Sequence, residues 1–138
     1  MARRPAPVAR APAADAVILL DTNAVIWLHR NHARTRRLVA REPLYVSPAT
    51  VLELQFLIEV GRLRLTRGAD VQSLVEDDRW LVDDPPAAAW FGHALALGWT
   101  HDPFDRLIVA HAQFRGWRLA TSDAGMLEQM HTAARLPL

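Results

Sequence analysis

The chain has 138 residues, 51% of them apolar, a formal net charge of +1 and no cysteine. Its length suits one domain with an ample core, and the missing thiols exclude disulfides, thiolate metal sites and cysteine nucleophiles. All 16 basic residues are arginine, which excludes a P-loop lysine or a Schiff base and leaves bidentate phosphate binding open.

Residues 1–15 are built from Arg, Pro and Ala, with no acid before Asp15. Alternating Pro and Ala builds neither a helix nor a core, so the segment is read as a disordered tail before a single domain over 16–138. It carries Arg3-Arg4 but no apolar h-region, which argues against a secretory signal. No apolar run is long enough to cross a bilayer, and a cytoplasmic protein with no membrane contact is expected. The domain opens with Val17-Ile18-Leu19-Leu20, which runs straight into Asp21-Thr22-Asn23. An unbroken apolar run suits a strand buried on both faces. In open α/β sheets the reactive crevice lies outside the carboxyl ends of the strands. Asp21 therefore reads either as a helix cap or as an acid delivered to that edge. The segments 24–28 and 29–41 read as two short helices, with Arg34, Arg36, Arg37 and Arg41 on an exposed face.

Leu44-Tyr45-Val46 reads as a strand, and Ser47-Pro48 as a helix start with an N-cap followed by Pro. In the helix from 48 to about 62, a turn of ~100° per residue sets Thr50, Phe56, Leu57 and Val60 on one side. Glu53 falls in the middle of that side, with Gln55, Glu59 and Arg62 opposite. An inward carboxylate is costly unless it is paired or metal-bound. Further on, a helix over 69–78, a strand over 79–82, a turn at Asp83-Asp84-Pro85-Pro86 and a helix over 87–97 are predicted. The acids at 77, 78, 83 and 84 fit solvated positions with no chemistry.

In His101-Asp102-Pro103-Phe104-Asp105, Asp102 is placed as an N-cap and Asp105 at the third helical position, where an acid suits the helix dipole. Asp105 sits with Ile108, Val109 and Ala112, the side that must face the sheet. Their three-residue spacing also lets Asp102 and Asp105 hold one cation. Arg118-Leu119-Ala120-Thr121 is the last clear strand, and Asp123 lies just past its end. A helix over 124–132 and a weakly marked strand over 136–138 complete the chain. The six histidines lack metal-ligand spacing and read as surface or packing residues, and there is no G-x-S-x-G nucleophile elbow.

Strands alternating with helices imply an α/β fold with a parallel sheet covered on both faces. Asp21, Glu53, Asp105 and Asp123 then converge on one pocket. Four carboxylates cannot ionise side by side without compensation. A hard divalent cation with oxygen ligands, Mg²⁺ or Mn²⁺, supplies it, and such sites perform phosphoryl chemistry. Thr22, Asn23, Thr121 and Ser122 are placed to orient ligands or waters. A phosphoaspartyl enzyme fits poorly, because Asn23 stands where a second Asp is wanted and no lysine exists. The rival class is a non-catalytic RNA-binding or protein-interaction module in which the acids are only caps.

The pieces LLDTNAVIW (19–27), SPATVLELQFLIEVGRL (47–63), HDPFDRLIVAHA (101–112) and LATSD (119–123) together resemble PIN domains, specifically the VapC-type toxins of bacterial type II toxin–antitoxin pairs. The likeness runs from Val17 to the C-terminus. It implies a three-layer α/β/α sandwich with a central parallel sheet and a Mg²⁺- or Mn²⁺-dependent endoribonuclease activity that leaves a 5′-phosphate and a 3′-hydroxyl. The family's acidic quartet falls on Asp21, Glu53, Asp105 and Asp123, as catalytic residues and metal ligands. Asp102 belongs to the DPFDR variant found in part of the family and is an additional candidate ligand. The resemblance also implies an RNA substrate, a homodimer and a cognate antitoxin that covers the pocket. Removal of residues 1–14 is expected to leave the melting temperature unchanged; a large drop in a thermal scan would show that the tail is packed.

Overall fold

The computed structural model describes residues 17–39, 43–66 and 68–138. The expected tail, and Arg41 of the basic segment, lie outside them. Five strands form one sheet: β1 (Ile18–Leu20), β2 (Leu44–Val46), β3 (Leu81–Val82), β4 (Arg118–Thr121) and β5 (Arg135–Pro137). All pairings are parallel and the spatial order is β3-β2-β1-β4-β5. β1 is therefore central, with Ile18 opposite Leu44 on one side and Arg118 on the other.

The apolar run of β1 is buried on both faces because its side chains alternate. Ile18 and Leu20 join Val46, Leu54, Leu74 and Trp80 in one core cluster. Leu19 joins Trp90, Ile108, Val109 and Leu119 in the other. The first cluster is roofed by α1 (Thr22–His29), α3 (Pro48–Glu59) and α4 (Val71–Val75); the second by α5 (Ala87–Ala94), α6 (Pro103–Arg115) and α7 (Ala124–Gln129). A short 3₁₀ turn at Ala33–Thr35 leads into α2 (Arg36–Val39), and another at Thr132–Ala134 precedes β5. These layers form the expected α/β/α sandwich. Among the described residues, no helix is long and apolar enough to cross a membrane.

The helix starts follow the sequence signals. Asp21 caps α1 through Ala24 N–H at 2.7 Å, and Ser47 caps α3 through Ala49 N–H at 3.2 Å. Asp102 caps α6 through Phe104 N–H at 2.8 Å, and Asp123 caps α7 through Met126 N–H at 2.9 Å. α6 ends at Gly116, whose φ of 70° is the left-handed conformation that favours glycine.

Several elements are shorter than the pattern predicts. α4 starts later because Asp70 and Ser73 form a reciprocal capping box, and Glu76 ends it. The turn that follows is held by Arg79, whose guanidinium meets Asp77 at 2.8 Å. α5 stops at Ala94 and α3 at Glu59. The inward side of α3 is also displaced. Thr50 and Leu54 are buried, but Phe56 and Val60 are 46% and 48% exposed. The sheet takes the Thr50–Leu54 line, which leaves the Glu53 side turned toward α6 at the crevice.

Asp83 is not the solvated turn residue that the sequence suggests. It accepts a hydrogen bond from His111 Nε2 at 2.7 Å and from Arg115 Nε at 2.8 Å. His111, read as a surface or packing residue, is fully buried and lies against Trp90 and Trp117. The network ties the loop after β3 to the far end of α6. Burial depresses the His111 pKa below the ordinary imidazole value. At Asp83 burial works the other way, but hydrogen bonds from Arg115 and His111 outweigh it and hold the carboxyl below its usual range. Both shifts stabilise the fold at neutral pH and are lost on acidification, His111 from about pH 6.5 downward and Asp83 lower still. Asp83→Ala is expected to cost about 2–4 kcal/mol at pH 7, because a buried imidazole and a guanidinium lose their partner. Its deficit against wild type should persist at pH 4 in thermal scans and narrow only below that, as pH falls through the depressed Asp83 value. An unchanged melting temperature at pH 7 would contradict the network's role.

Candidate metal centre

Because every strand points the same way, the residues after β1 and β4 and the starts of α3 and α6 gather at one edge of the sheet. There a cavity of about 250 Å³ is lined by five acids: Asp21, Glu53, Asp102, Asp105 and Asp123. Thr22 and Asn23 complete its polar wall, and Leu57, Ile108 and Met126 supply its apolar part. Among the described residues, no cation lines the cavity.

Asp21 leaves β1 directly and is 3% exposed. Its Oδ1 is engaged by the cap to Ala24. Burial pushes its pKa up to about 6, against hydrogen bonds from Thr121 and Ala24, and the charge of Asp123 adds to the rise. Glu53, in the second turn of α3, is half-buried. Burial raises its pKa as well, Thr22 opposes through a hydrogen bond, and Asp102 and Asp21 push further upward. Asp105, in the first turn of α6, is raised to about 7, by burial first and then by the charges of Asp102, Glu53, Asp123 and Asp21. Asp123 is exposed, with its N–H donating to Thr121 Oγ1 at 3.0 Å.

One carboxylate oxygen each from Glu53, Asp102 and Asp105 falls within 4.8 Å of the others. Asp102, which the sequence treats mainly as a cap, is thus both cap and member of the tightest acidic group. Its Oδ1 meets the N–H groups of Phe104 and Asp105. Asp21 and Asp123 line the same cavity outside that group of three. All four acids of the predicted quartet are therefore brought together, with Asp102 beside them.

The expected supporting residues divide. Thr22 and Thr121 are buried. Thr22 Oγ1 and Thr50 Oγ1 share a hydrogen bond at 3.2 Å, and Thr121 touches both Asp21 and Asp123. Asn23 is exposed on the cavity wall. Ser122 is half-buried and does not line the cavity. Thr50, which braces Thr22, was legible only as a polar residue on the inward side of α3.

This donor set fits a hard divalent cation. The groups are all oxygen, three of them lie close enough to share an ion, and the values at Asp21, Glu53 and Asp105 are raised by burial first and by neighbouring acids second, costs that a bound cation would offset. The sign of the pH effect follows. Asp21 favours the folded state when protonated, so its contribution is full below about pH 4 and lost as pH rises through about 6. Asparagine preserves the cap without the charge. In EDTA at pH 8, Asp21→Asn should therefore be more stable than wild type, by about 2–3 kcal/mol at most. At pH 4 the two should melt together, and Mn²⁺ at pH 8 should raise the wild-type melting temperature far more than the variant's. A lower melting temperature for the variant at pH 8 would show that the carboxylate is not under strain.

Comparisons with known proteins agree with this geometry. The PIN domain family model matches residues 18–130. Ribonuclease VapC22 of Mycobacterium tuberculosis (strain ATCC 25618 / H37Rv) is 31% identical over 121 residues, covering 83% of this chain and 92% of that protein. A toxin–antitoxin complex from Klebsiella pneumoniae contains a chain of similar fold, with a TM-score of 0.60 at 16% identity over 86% of this chain and 99% of that one. VapBC2 from Rickettsia felis, bound to a DNA fragment from its promoter, gives a TM-score of 0.58 at 18% identity over 81% and 92%. On the family match, the curated relative and the acid-lined sheet edge together, this chain belongs to the PIN-domain family.

Proposed function

We propose that the chain is a metal-dependent endoribonuclease, the toxin of a bacterial toxin–antitoxin pair. The observation that carries this reading is the convergence of five carboxylates from four separate segments on one cavity. The relationship to a protein named as a ribonuclease of the VapC type supports it. The cofactor is Mg²⁺ or Mn²⁺, held by Glu53, Asp102 and Asp105 with Asp21 and Asp123 beside them. Bound there, the ion supplies Lewis-acid polarisation and positive charge against a phosphodiester.

The residues of the chain do the rest. Asp21 is held on the cavity wall by the α1 cap and by Thr121. Asp105 holds a proton for part of the time at neutral pH and releases it when the ion enters, so metal affinity rises with pH. Thr22 steadies Glu53, Thr121 orients Asp21 and Asp123, and Asn23 orients water and ligand atoms around the acids. The products are a 5′-phosphate and a 3′-hydroxyl. A cognate antitoxin that covers the cavity belongs to the proposal, as toxin–antitoxin complexes among the structural neighbours suggest; a homodimer and a cytoplasmic location complete it.

Single-stranded RNA incubated with the full chain should be cut in Mg²⁺ or Mn²⁺ and left intact in EDTA. Glu53→Gln and Asp105→Asn should each lower the rate about a hundredfold or more, beyond the loss typical of a merely supporting residue. Their melting temperatures should stay within a few degrees of wild type. A folded wild-type protein that cuts no RNA with either ion would overturn the proposal in favour of a non-catalytic module; variants that cut at the wild-type rate would overturn the assignment of Glu53 and Asp105.

A further inference from the structure

A buried hydroxyl pair stands behind the acidic cavity. Thr50, in the first turn of α3, is fully buried and does not line the cavity. Its Oγ1 lies 3.2 Å from Oγ1 of Thr22, the first residue of α1. Among the described residues, that contact is the only hydrogen bond of the Thr50 side chain. Thr22 lines the cavity with Glu53 and is hydrogen-bonded to its carboxylate. Thr50 and Glu53 are three residues apart on α3 and so share a side of that helix. The Thr22 hydroxyl is thus gripped by two side chains of one helix.

Counting protons fixes the direction of these bonds. An ionised carboxylate only accepts, so the single proton of Thr22 goes to Glu53. Thr22 must then accept from Thr50. The reverse order would leave the Thr50 proton without an acceptor in the core and Glu53 without its donor. The chain of donation therefore runs from Thr50 through Thr22 to Glu53. For folding alone the hydroxyl pair is no advantage, because two apolar residues of the same shape would serve about as well. Thr50 also shares the sheet-facing line of α3 with Leu54, where the fold asks only for apolar bulk.

We infer that Thr50 is a positioning residue, which acts through Thr22 to hold the Glu53 carboxylate where it can share a cation with Asp102 and Asp105. This assignment rests on the metal site of the nuclease reading above and adds to it a core residue. Metal affinity is then set in part by a side chain that touches neither the ion nor the cavity.

The test measures Mn²⁺ binding by the full chain, from the electron paramagnetic resonance signal of free Mn²⁺, beside cleavage of single-stranded RNA. Melting temperature in EDTA is the folding control. Thr50→Val keeps the shape and removes the hydroxyl. It should bind Mn²⁺ about tenfold more weakly, the lower end for a partner outside the ligand set, and melt within a few degrees of wild type. Thr50→Ser returns the donor and should bind within about twofold of wild type. Thr22→Val should lose at least as much affinity as Thr50→Val. In that background Thr50→Val should lose nothing more, because its effect has no carrier. Wild-type affinity in Thr50→Val, an equal loss in Thr50→Ser, or a second loss of about tenfold in the double variant would each overturn the relay. The nuclease reading would stand in those cases as long as wild type cuts RNA. If Thr50→Val does not fold, Thr50→Ala replaces it; two unfolded variants would make Thr50 a core residue and overturn the relay as well. Wild type that binds Mn²⁺ but cuts no RNA, with the variants ordered as expected, would keep the relay and end the nuclease reading. Wild type that binds no Mn²⁺ would end both.

Discussion

Mutual repulsion among carboxylates at one sheet edge is the constraint to which the rest of the fold answers. Asp21, Glu53 and Asp105 all have raised pKa values, and the charges of neighbouring acids contribute at each. Such a cluster persists only because other contacts over-determine it. Three of its members, Asp21, Asp102 and Asp123, each accept a backbone N–H at a helix start. Helix N-termini also carry partial positive charge, which favours acids there. The geometry that assembles the acids thus also offsets part of their repulsion.

The remaining support comes from the centre of the sheet. β1 sits between β2 and β4 and sends alternate side chains into two separate apolar clusters. Asp21 follows Leu20 without a linker, so its position is inherited from the most buried strand. α6 is likewise held near both ends. Its start carries Asp102 and Asp105, and its last turns carry His111 and Arg115, anchored on Asp83. A helix fixed at its far end cannot swing to relieve the crowding at its acidic end.

Much of this was legible in the sequence, and the exceptions share a physical cause. The strands at 18–20, 44–46 and 118–121 and the caps Asp21, Ser47, Asp102 and Asp123 are signalled by adjacent residues, and local signals survive folding. The convergence of Asp21, Glu53, Asp105 and Asp123 was legible once the parallel topology was assumed. What failed depends on partners distant in the chain. Asp83 looks like a solvated turn acid because His111 and Arg115 lie 28 and 32 residues away. Phe56 and Val60 look like core because helical periodicity fixes relative, not absolute, orientation, and the approach of α6 decides which stripe of α3 meets the sheet. Asp102 was understated for the opposite reason: its local role as a cap explained it sufficiently, and only the position of Glu53 reveals the second.

The shared duty of the caps has an evolutionary corollary. An acid that both starts a helix and faces the cavity cannot drift freely once the reaction is no longer selected. On the proposed metal site, alanine there would remove a ligand and loosen the helix together, whereas asparagine, serine or threonine would remove the carboxylate and keep the N–H satisfied. Descendants that have lost the chemistry should therefore carry Asn, Ser or Thr at positions 21, 102 and 123. Position 53, which caps nothing, should be free to accept almost any residue. In that pattern, a silent relative would be recognisable from its sequence as a retired enzyme and distinguishable from a scaffold that never had the site.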